Sequence, residues 1–156
     1  MKTGLYFGSF NPIHIGHLAI ANYLIEFSDL NEIWFVVSPQ NPLKKKETLL
    51  DNYDRLELVR MAIDDDPRFK ASDIEFGLPI PSYTIDTLTH LNEKYTKRKF
   101  SLIMGGDNFH SIHKWKNYNQ LIKKYEIYVY PRPGFEIDSS QDNINIVNAP
   151  LMEISS

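Results

Sequence analysis

The chain has 156 residues, of which 42% are hydrophobic and 24% are charged, a balance typical of a single globular domain. Its formal net charge of −3 excludes the broad positive field with which proteins wrap nucleic acid. The absence of cysteine excludes disulfides, thiolate metal sites and a cysteine nucleophile. Without a signal-peptide pattern or a membrane-length apolar run, we expect a cytoplasmic enzyme with no membrane partner.

A strand, a loop and a helix are predicted at the N-terminus. The apolar run Leu5–Phe7 predicts a buried strand, which Gly8 and Ser9 end before a tight turn at Asn11-Pro12. Apolar residues then recur at helical spacing, at Leu18, Ala21, Leu24 and Ile25. The free backbone N–H groups and the dipole at the start of such a helix favour a bound anion.

Two histidines, His14 and His17, stand three residues apart where this helix begins. At that spacing the two side chains lie on one side of the helix, beside the free amides. An imidazole donates one or two hydrogen bonds, which suits a polyphosphate whose charge moves during a reaction. A metal-binding pair or two ordinary polar residues are the alternatives, but the strand-loop-helix setting favours phosphate.

The next predicted elements are a strand, a helix and a further strand. The nearly continuous apolar run Glu32–Ser38 predicts a central parallel strand, and Lys44 in the loop that follows is a candidate phosphate ligand. Asp51 is predicted to cap a helix, in which Arg55 and Arg60 are assigned to the surface. Six apolar residues are assigned to its core-facing side: Tyr53, Leu56, Val59, Met61, Ala62 and Ile63. Residues 69–76 predict a strand nearer the sheet edge.

A third helix and a fourth strand follow. Ser82 or Thr84 is predicted to cap a helix that runs to about Tyr95, and the helix start is a second candidate polar site. The buried strand 100–104 opens into Gly105-Gly106-Asp107-Asn108. Glycines let the backbone approach a ligand, and Asp107 can accept hydrogen bonds from hydroxyl groups such as those of a ribose.

The remaining candidates lie near the C-terminal end of the predicted sheet. Trp115 is predicted at a helix start, where it can stack on a flat heteroaromatic ring, whereas His110 and His113 are assigned to the surface. Residues 126–130 predict the fifth strand. Arg132 follows between two prolines, and its forked guanidinium is predicted to bind a phosphate group. Short closing strands are predicted at 144–147 and 151–154.

Strands alternate with helices along the whole chain, which predicts an α/β fold. We expect a Rossmann-like, doubly wound parallel sheet in a three-layer α/β/α arrangement, formed as a single domain over residues 1–156. The loops after strands one, two, four and five would meet at one edge of this sheet. Ser155-Ser156 follow an apolar strand directly, so we expect that a C-terminal helical segment is lacking and that the chain is part of a longer protein.

The string GSFNPIHIGH resembles the signature of the nucleotidyltransferase superfamily, whose members carry HxGH or TxGH after the first strand. Neither the GxxxxGK(S/T) nor the GxGxxG pattern is present, which argues against a Walker-type loop and a conventional dinucleotide fold. The whole chain resembles the nicotinate-nucleotide adenylyltransferase family. Five ordered segments carry this resemblance: the GSFNPIHIGH string, Asn41–Lys44, Ser82–Leu88, Gly105–Asn108 with Trp115-Lys116, and Pro131–Gly134.

The resemblance implies Mg²⁺-dependent transfer of AMP from ATP to nicotinate mononucleotide, with the metal carried by the ATP phosphates. Carried over by motif, the residues that hold ATP or phosphate are Gly8, Ser9, Phe10, His14, His17, Lys44, Arg132 and Ser155, with His14 and His17 as the catalytic pair. The acceptor would meet Thr84, Asp107, Trp115 and Lys116, with Trp115 stacked on the pyridine ring.

The chain departs from the family pattern at two points. Asn41-Pro42-Leu43-Lys44 stands where the family often has Pro-Pro-His-Lys, so one histidine contact is absent. The family's Ser-Ser-Thr-x-Ile-Arg segment, which meets ATP, is represented only by Ser155-Ser156.

Two other functions stay open. A sibling adenylyl- or cytidylyltransferase, such as phosphopantetheine adenylyltransferase, is disfavoured by Thr84 and Trp115 in their motifs because its acceptor carries no pyridine ring. A non-catalytic adenylate-binding module is disfavoured by the histidine pair. The preference for the acid over the amide mononucleotide rests on the resemblance, and the sequence leaves the oligomeric state open, a homo-oligomer included.

Overall fold

A computed structural model describes residues 1–39, 50–79, 82–137 and 143–149. A sheet of six parallel strands runs through it in the order β3-β2-β1-β4-β5-β6. The strands are β1 (Lys2–Gly8), β2 (Glu32–Val37), β3 (Phe69–Ser72), β4 (Lys99–Gly105), β5 (Ile127–Tyr130) and β6 (Ile144–Ile146). The predicted doubly wound α/β fold is confirmed, with the strand order of a Rossmann sheet.

In the described part of the chain, five α-helices lie between the strands. They are α1 (Ile15–Phe27), α2 (Asn52–Ile63), α3 (Thr84–Lys94), α4 (Gly106–His110) and α5 (Tyr118–Lys124), and short 3₁₀ helices span Ile74–Gly77 and Ile112–Lys114. Within the described residues, no helix combines the length and the apolar character that crossing a bilayer requires.

The continuous apolar runs are explained by helices on both faces of the sheet. All six residues of β2 are buried, with Phe35 packed among the side chains of α1 and α2, and Trp34 and Val36 on the opposite face among those of α3 and α5. A strand covered on both sides gains from apolar residues at every position, so the alternation of a half-exposed strand is absent.

The strand order reverses between β1 and β4, which are neighbours in the sheet. Connections from these two strands leave toward opposite faces, and a crevice opens between them at the carboxyl ends of the strands. The polar groups that follow β1, β4 and β5 therefore lie around one opening.

The third strand is shorter than predicted. It ends at Ser72 rather than residue 76, and the chain turns into the 3₁₀ helix instead. This turn buries Glu75, whose carboxylate accepts a hydrogen bond from the Thr87 hydroxyl at 2.9 Å on α3. The tertiary contact overrides the extended pattern of the sequence.

The predicted inner face of α2 is partly wrong. Leu56, Val59 and Ile63 are buried, as their three- and four-residue spacing requires, but Tyr53 and Met61 are 66% and 67% exposed. Ala62 is exposed as well. Met61 and Ala62 fall off this stripe, and Tyr53, in the first turn of the helix, meets the Phe76 ring in a T-shaped contact.

Three predictions of helix ends also need correction. Asp51 occupies the N-cap position of α2 but makes no side-chain cap bond. Tyr83, not Ser82 or Thr84, is the N-cap of α3, and Thr84 is its first helical residue. Trp115 lies after the 3₁₀ helix 112–114 and before α5, not at a helix start.

Candidate active site

A pocket lies at the crevice between β1, β4 and β5. Five of the residues predicted to bind substrates line it: Gly8, Phe10, His17, Asp107 and Arg132. Its other lining residues are Tyr6, Phe7, Asn108 and Tyr130. The structure thus brings together side chains from three separate strand ends.

The two histidines cap α1 reciprocally. The Nδ1 atom of His14, the N-cap, accepts from the backbone N–H of Gly16 at 3.1 Å, and the Nδ1 atom of His17 accepts from the backbone N–H of His14 at 3.1 Å. Their rings lie 4.0 Å apart between centroids. An imidazole whose Nδ1 accepts a hydrogen bond carries its proton on Nε2, so each ring presents an Nε2–H donor away from the helix.

His17 is held in its neutral form. Burial, together with neighbouring His14 and Arg132, lowers the pKa of His17 to about 4. At neutral pH it therefore donates a hydrogen bond without adding a charge to the pocket. A cationic group near it among the described residues is the guanidinium of Arg132.

The ring of Phe10 packs against the ring of His17. Its ring is fully buried and meets the His17 ring edge-on, with 5.1 Å between centroids. The backbone at Phe10 has a φ of 47°, in the left-handed region that a non-glycine residue rarely adopts. The strained residue fixes the loop between β1 and α1, and its buried side chain belongs to the core as well as to the lining of the pocket.

Asp107 and Arg132 form an ion pair across the pocket, with 3.8 Å between the Asp107 Oδ1 and Arg132 Nε atoms. Asp107 was assigned to the acceptor from the sequence, yet it lies beside the phosphate candidates. Gly105 permits this approach, since a Cβ atom there would stand 2.6 Å from the Asp107 carboxylate and 2.9 Å from the Arg132 side chain. The glycine is needed for space.

Arg55 was wrongly assigned to the surface: it is fully buried. Its guanidinium donates to the backbone carbonyls of Ser9, Ser38 (2.9 Å) and Leu50 (3.1 Å). It thus joins the loop after β1 to the end of β2 and the start of α2. In the sequence, the only sign that Arg55 is buried was its position next to Leu56 on the inner stripe of α2. Arg60 is exposed, as predicted.

The other three candidates for acceptor binding, Thr84, Trp115 and Lys116, lie at the start of α3 and in the loop before α5. The Nζ atom of Lys116 lies 3.1 Å from the Asp86 carboxylate and 4.8 Å from the centre of the Tyr83 ring. Thr84 stands between those two residues in the chain. Trp115, next to Lys116, is half-buried against the core on that face of the sheet. The loop before α5 and the start of α3 are therefore held together.

Glu75 was not singled out in the sequence, where it lies in an ordinary apolar stretch. Burial raises the pKa of its carboxyl group, while hydrogen bonds from Thr87, Ser38 and Ser82 act in the opposite direction. These hydroxyls come from the end of β2 and the first part of α3. The buried carboxylate ties the two segments that flank the candidate acceptor site.

Lys44 and Ser155 lie outside the described residues, as does the predicted strand 151–154. Among the residues that are described, no group of three or more acidic, histidine or cysteine side chains is placed to hold a metal ion. A fold with this strand order, this histidine-capped helix and this pocket defines a nucleotide-binding site of the nucleotidyltransferase class.

Comparison with known proteins agrees with that class. The family described as Cytidylyltransferase-like matches residues 5–156. Probable nicotinate-nucleotide adenylyltransferases of Flavobacterium psychrophilum and Bacteroides thetaiotaomicron are 57% and 49% identical to the chain, over 100% of its length and 83% and 78% of theirs. The chain belongs to the cytidylyltransferase-like family and, within it, to the nicotinate-nucleotide adenylyltransferases, which confirms the resemblance found in the sequence.

The fold is shared with a solved structure, Plasmodium falciparum nicotinic acid mononucleotide adenylyltransferase complexed with NaAD. The TM-score is 0.81 at 21% identity, covering 97% of this chain and 76% of that one.

Proposed function

We propose that this protein transfers AMP from ATP to nicotinate mononucleotide, forming deamido-NAD and pyrophosphate. The observation that carries the proposal is the histidine pair at the start of α1: its two rings each keep an Nε2–H donor, and His17 lines the crevice together with Arg132. The family to which the chain belongs supports the same reaction.

The residues account for the chemistry without a general base. The attacking group is a phosphomonoester whose second pKa is about 6, so it is largely dianionic at neutral pH. The protein has to align two polyanions and to stabilise the charge that develops on the α-phosphate and on the leaving pyrophosphate. His14 and His17 donate to those oxygens, the start of α1 offers backbone N–H groups, and Arg132 supplies a fixed positive charge.

Magnesium fits this site as an ion carried by the nucleotide. The described residues form no cage of ligands, but Asp107 places one carboxylate in the pocket near the phosphate candidates. Mg²⁺ keeps several waters and binds through substrate phosphates with one or two carboxylates, so Asp107 would be its protein ligand. The ion would neutralise part of the phosphate charge.

The remaining roles follow the geometry and the resemblance. Gly8 and Ser9 lie in the loop before the histidine-capped helix and would approach the phosphates through their backbones. Thr84 and the backbone near Lys116 would bind the pyridine carboxylate, with Trp115 against the ring. Lys44 and Ser155 as phosphate ligands, the cytoplasmic location and a homo-oligomer stay predictions.

Pyrophosphate release tests the reaction directly. With ATP and Mg²⁺ we expect release with nicotinate mononucleotide, and far less with its amide or with phosphopantetheine. With CTP in place of ATP we expect little pyrophosphate release. Release with phosphopantetheine or CTP instead would favour a sibling transferase, and binding of ATP without release with any acceptor would favour a non-catalytic module.

The histidines are tested by His14→Asn and His17→Asn. In each variant the asparagine oxygen can replace the Nδ1 acceptor and preserve the cap of α1, but the shorter NH₂ group does not reach the position of Nε2–H. We expect kcat to fall by about 10²- to 10³-fold with the fold intact. The exposed histidine variant His113→Asn is the matched control, and near-normal turnover in both helix variants would refute the catalytic role.

A further inference from the structure

Two tyrosines of the pocket have no part in the reaction described above. Tyr6 on β1 and Tyr130 on β5 are 3% and 8% exposed, and their hydroxyl oxygens lie 3.3 Å apart. The strand β4 lies between β1 and β5 in the sheet, so the two side chains reach across it. Both residues line the pocket that holds His17 and Arg132.

After the two hydroxyls bond to each other, one hydroxyl hydrogen is still available for donation. Two hydroxyl groups carry two hydrogens, and the bond that they share uses one of them. Among the described residues neither hydroxyl has another hydrogen-bond partner. Buried hydroxyls are nearly always satisfied, so the second hydrogen calls for an acceptor in the pocket.

The surroundings of the pair select the chemistry of that acceptor. The Tyr6 ring meets the His17 ring edge-on at 6.2 Å between centroids, and Tyr6, Tyr130 and His17 line the same pocket. Burial raises the pKa of both phenols, so they remain protonated donors at neutral pH. Besides the Asp107 carboxylate, which is paired with Arg132, the pocket offers a guanidinium, an imidazole N–H and a phenol O–H, and these donors suit an oxyanion.

We propose that the hydroxyl pair of Tyr6 and Tyr130 belongs to the phosphate-binding site and donates its second hydrogen to a phosphate oxygen of the bound nucleotide. The inference rests on the proposed function, since the nucleotide is the substrate assigned there. The bond within the pair polarises the hydroxyl that donates onward, and this strengthens its hydrogen bond to the phosphate.

The test compares Tyr6→Phe, Tyr130→Phe and the double variant with wild type. Phenylalanine keeps the ring contacts with Phe10, His17 and Phe35, so packing is preserved while the hydroxyls are lost. Isothermal calorimetry would measure the dissociation constants of MgATP and of inorganic pyrophosphate. Urea unfolding would show that each variant is folded.

Tyr128→Phe is a matched control. Tyr128 is on the same strand and the same face of the sheet as Tyr130, and it is also buried. Its hydroxyl donates to Asp29 at the other end of the sheet, far from the pocket. Its loss should lower stability and leave the affinity for both ligands unchanged.

We expect the double variant to bind MgATP and pyrophosphate at least about tenfold more weakly, as for a lost hydrogen bond to a charged group. At least one single variant should lose less, because the hydroxyl that remains still has a hydrogen to give. Affinities within about twofold of wild type in the double variant, or an equal loss in Tyr128→Phe, would overturn the proposal.

The calorimetry separates this proposal from the proposed function. If wild type binds MgATP but releases no pyrophosphate, the transferase activity fails while the affinities of the variants still decide the role of the tyrosines. If wild type binds neither ligand, both proposals are wrong.

Discussion

His17 shows how a single residue is tuned by its surroundings. The backbone of His14 fixes one ring nitrogen, the ring of Phe10 packs against the imidazole, and burial keeps it neutral. A neutral donor stabilises developing charge without requiring a buried cation in the absence of substrate. Because the fold disfavours protonation of His17, the folding stability depends on pH in the range where the unfolded chain protonates this residue.

We predict that His17 makes the protein less stable in mild acid. Its pKa falls from about 6.5 in the unfolded chain to about 4 in the fold, so the unfolded state binds more protons between these values. The free energy of unfolding should therefore decrease as the pH falls below 6.5, with a contribution from His17 of about 2 kcal/mol between pH 7 and pH 5.

Urea unfolding of wild type and His17→Asn at the two pH values measures that contribution. The other titrating groups are common to both proteins, so the difference between the two losses isolates His17. Equal losses in the two proteins would show that the imidazole titrates normally in the fold.

At the scale of the elements, Arg55 and Glu75 hold the segments around the site. Arg55 connects the loop after β1 with β2 and α2, and Glu75 connects β2 with α3. Both are buried charged groups whose hydrogen bonds go to segments that carry candidate ligands. Loss of either one leaves buried polar groups without a partner.

We predict that Arg55→Met lowers the free energy of unfolding by about 3 kcal/mol or more, since buried carbonyls lose their donor. The KM for ATP should rise as well, because the loop of Ser9 loses its anchor. Chemical denaturation and steady-state kinetics measure both effects. Arg60→Met is the matched control on the exposed side of α2 and should change the free energy of unfolding by less than about 0.5 kcal/mol. An equal effect of the two substitutions would contradict the role of Arg55.

Glu75→Gln should weaken the acceptor side of the site. The amide keeps one acceptor oxygen but puts an NH₂ group against hydroxyl donors, so α3 is held less firmly. We expect a loss of about 1–2 kcal/mol in stability and a larger rise in KM for nicotinate mononucleotide than for ATP. Glu57→Gln on the exposed side of α2 is the control, and equal changes in the two KM values would argue against a link to the acceptor.

At the scale of the whole molecule, the crevice exists only when the sheet is assembled. The pocket takes residues from β1 and β5, from the first turns of α1 and α4, and from the loops after β1 and β5, which lie far apart in the chain. The unfolded chain therefore has no such site, and nucleotide binding adds directly to folding stability.

We predict that ATP at about 100 times its dissociation constant raises the free energy of unfolding by about 2.7 kcal/mol. Thermal unfolding with MgATP should show a higher midpoint that depends on nucleotide concentration. CTP at the same concentration serves as the comparison, because the proposed donor is an adenylate. An equal rise with CTP would count against adenylyl transfer.

The sequence by itself determined the parallel sheet and the first half of the site. Continuous apolar runs separated by helical patterns require strands covered on both faces, and the GSFNPIHIGH string sets a strand, a loop and a helix start through neighbouring residues. Arg132 and Asp107 could be placed at the same edge because parallel strands share it. Such features depend on local order and on burial, which the pattern of residue types records.

Only the tertiary structure decided the positions of Arg55, Glu75 and the tyrosine pair. Arg55 meets a carbonyl 46 residues away, and the two tyrosine hydroxyls come from residues 124 positions apart. The sequence pattern indicates which side chains are polar or apolar, but not which distant strand ends will face each other. The order of strands in the sheet decides which strand ends become neighbours. Those neighbours in turn bury His17 in its neutral form and supply the donors of the pocket.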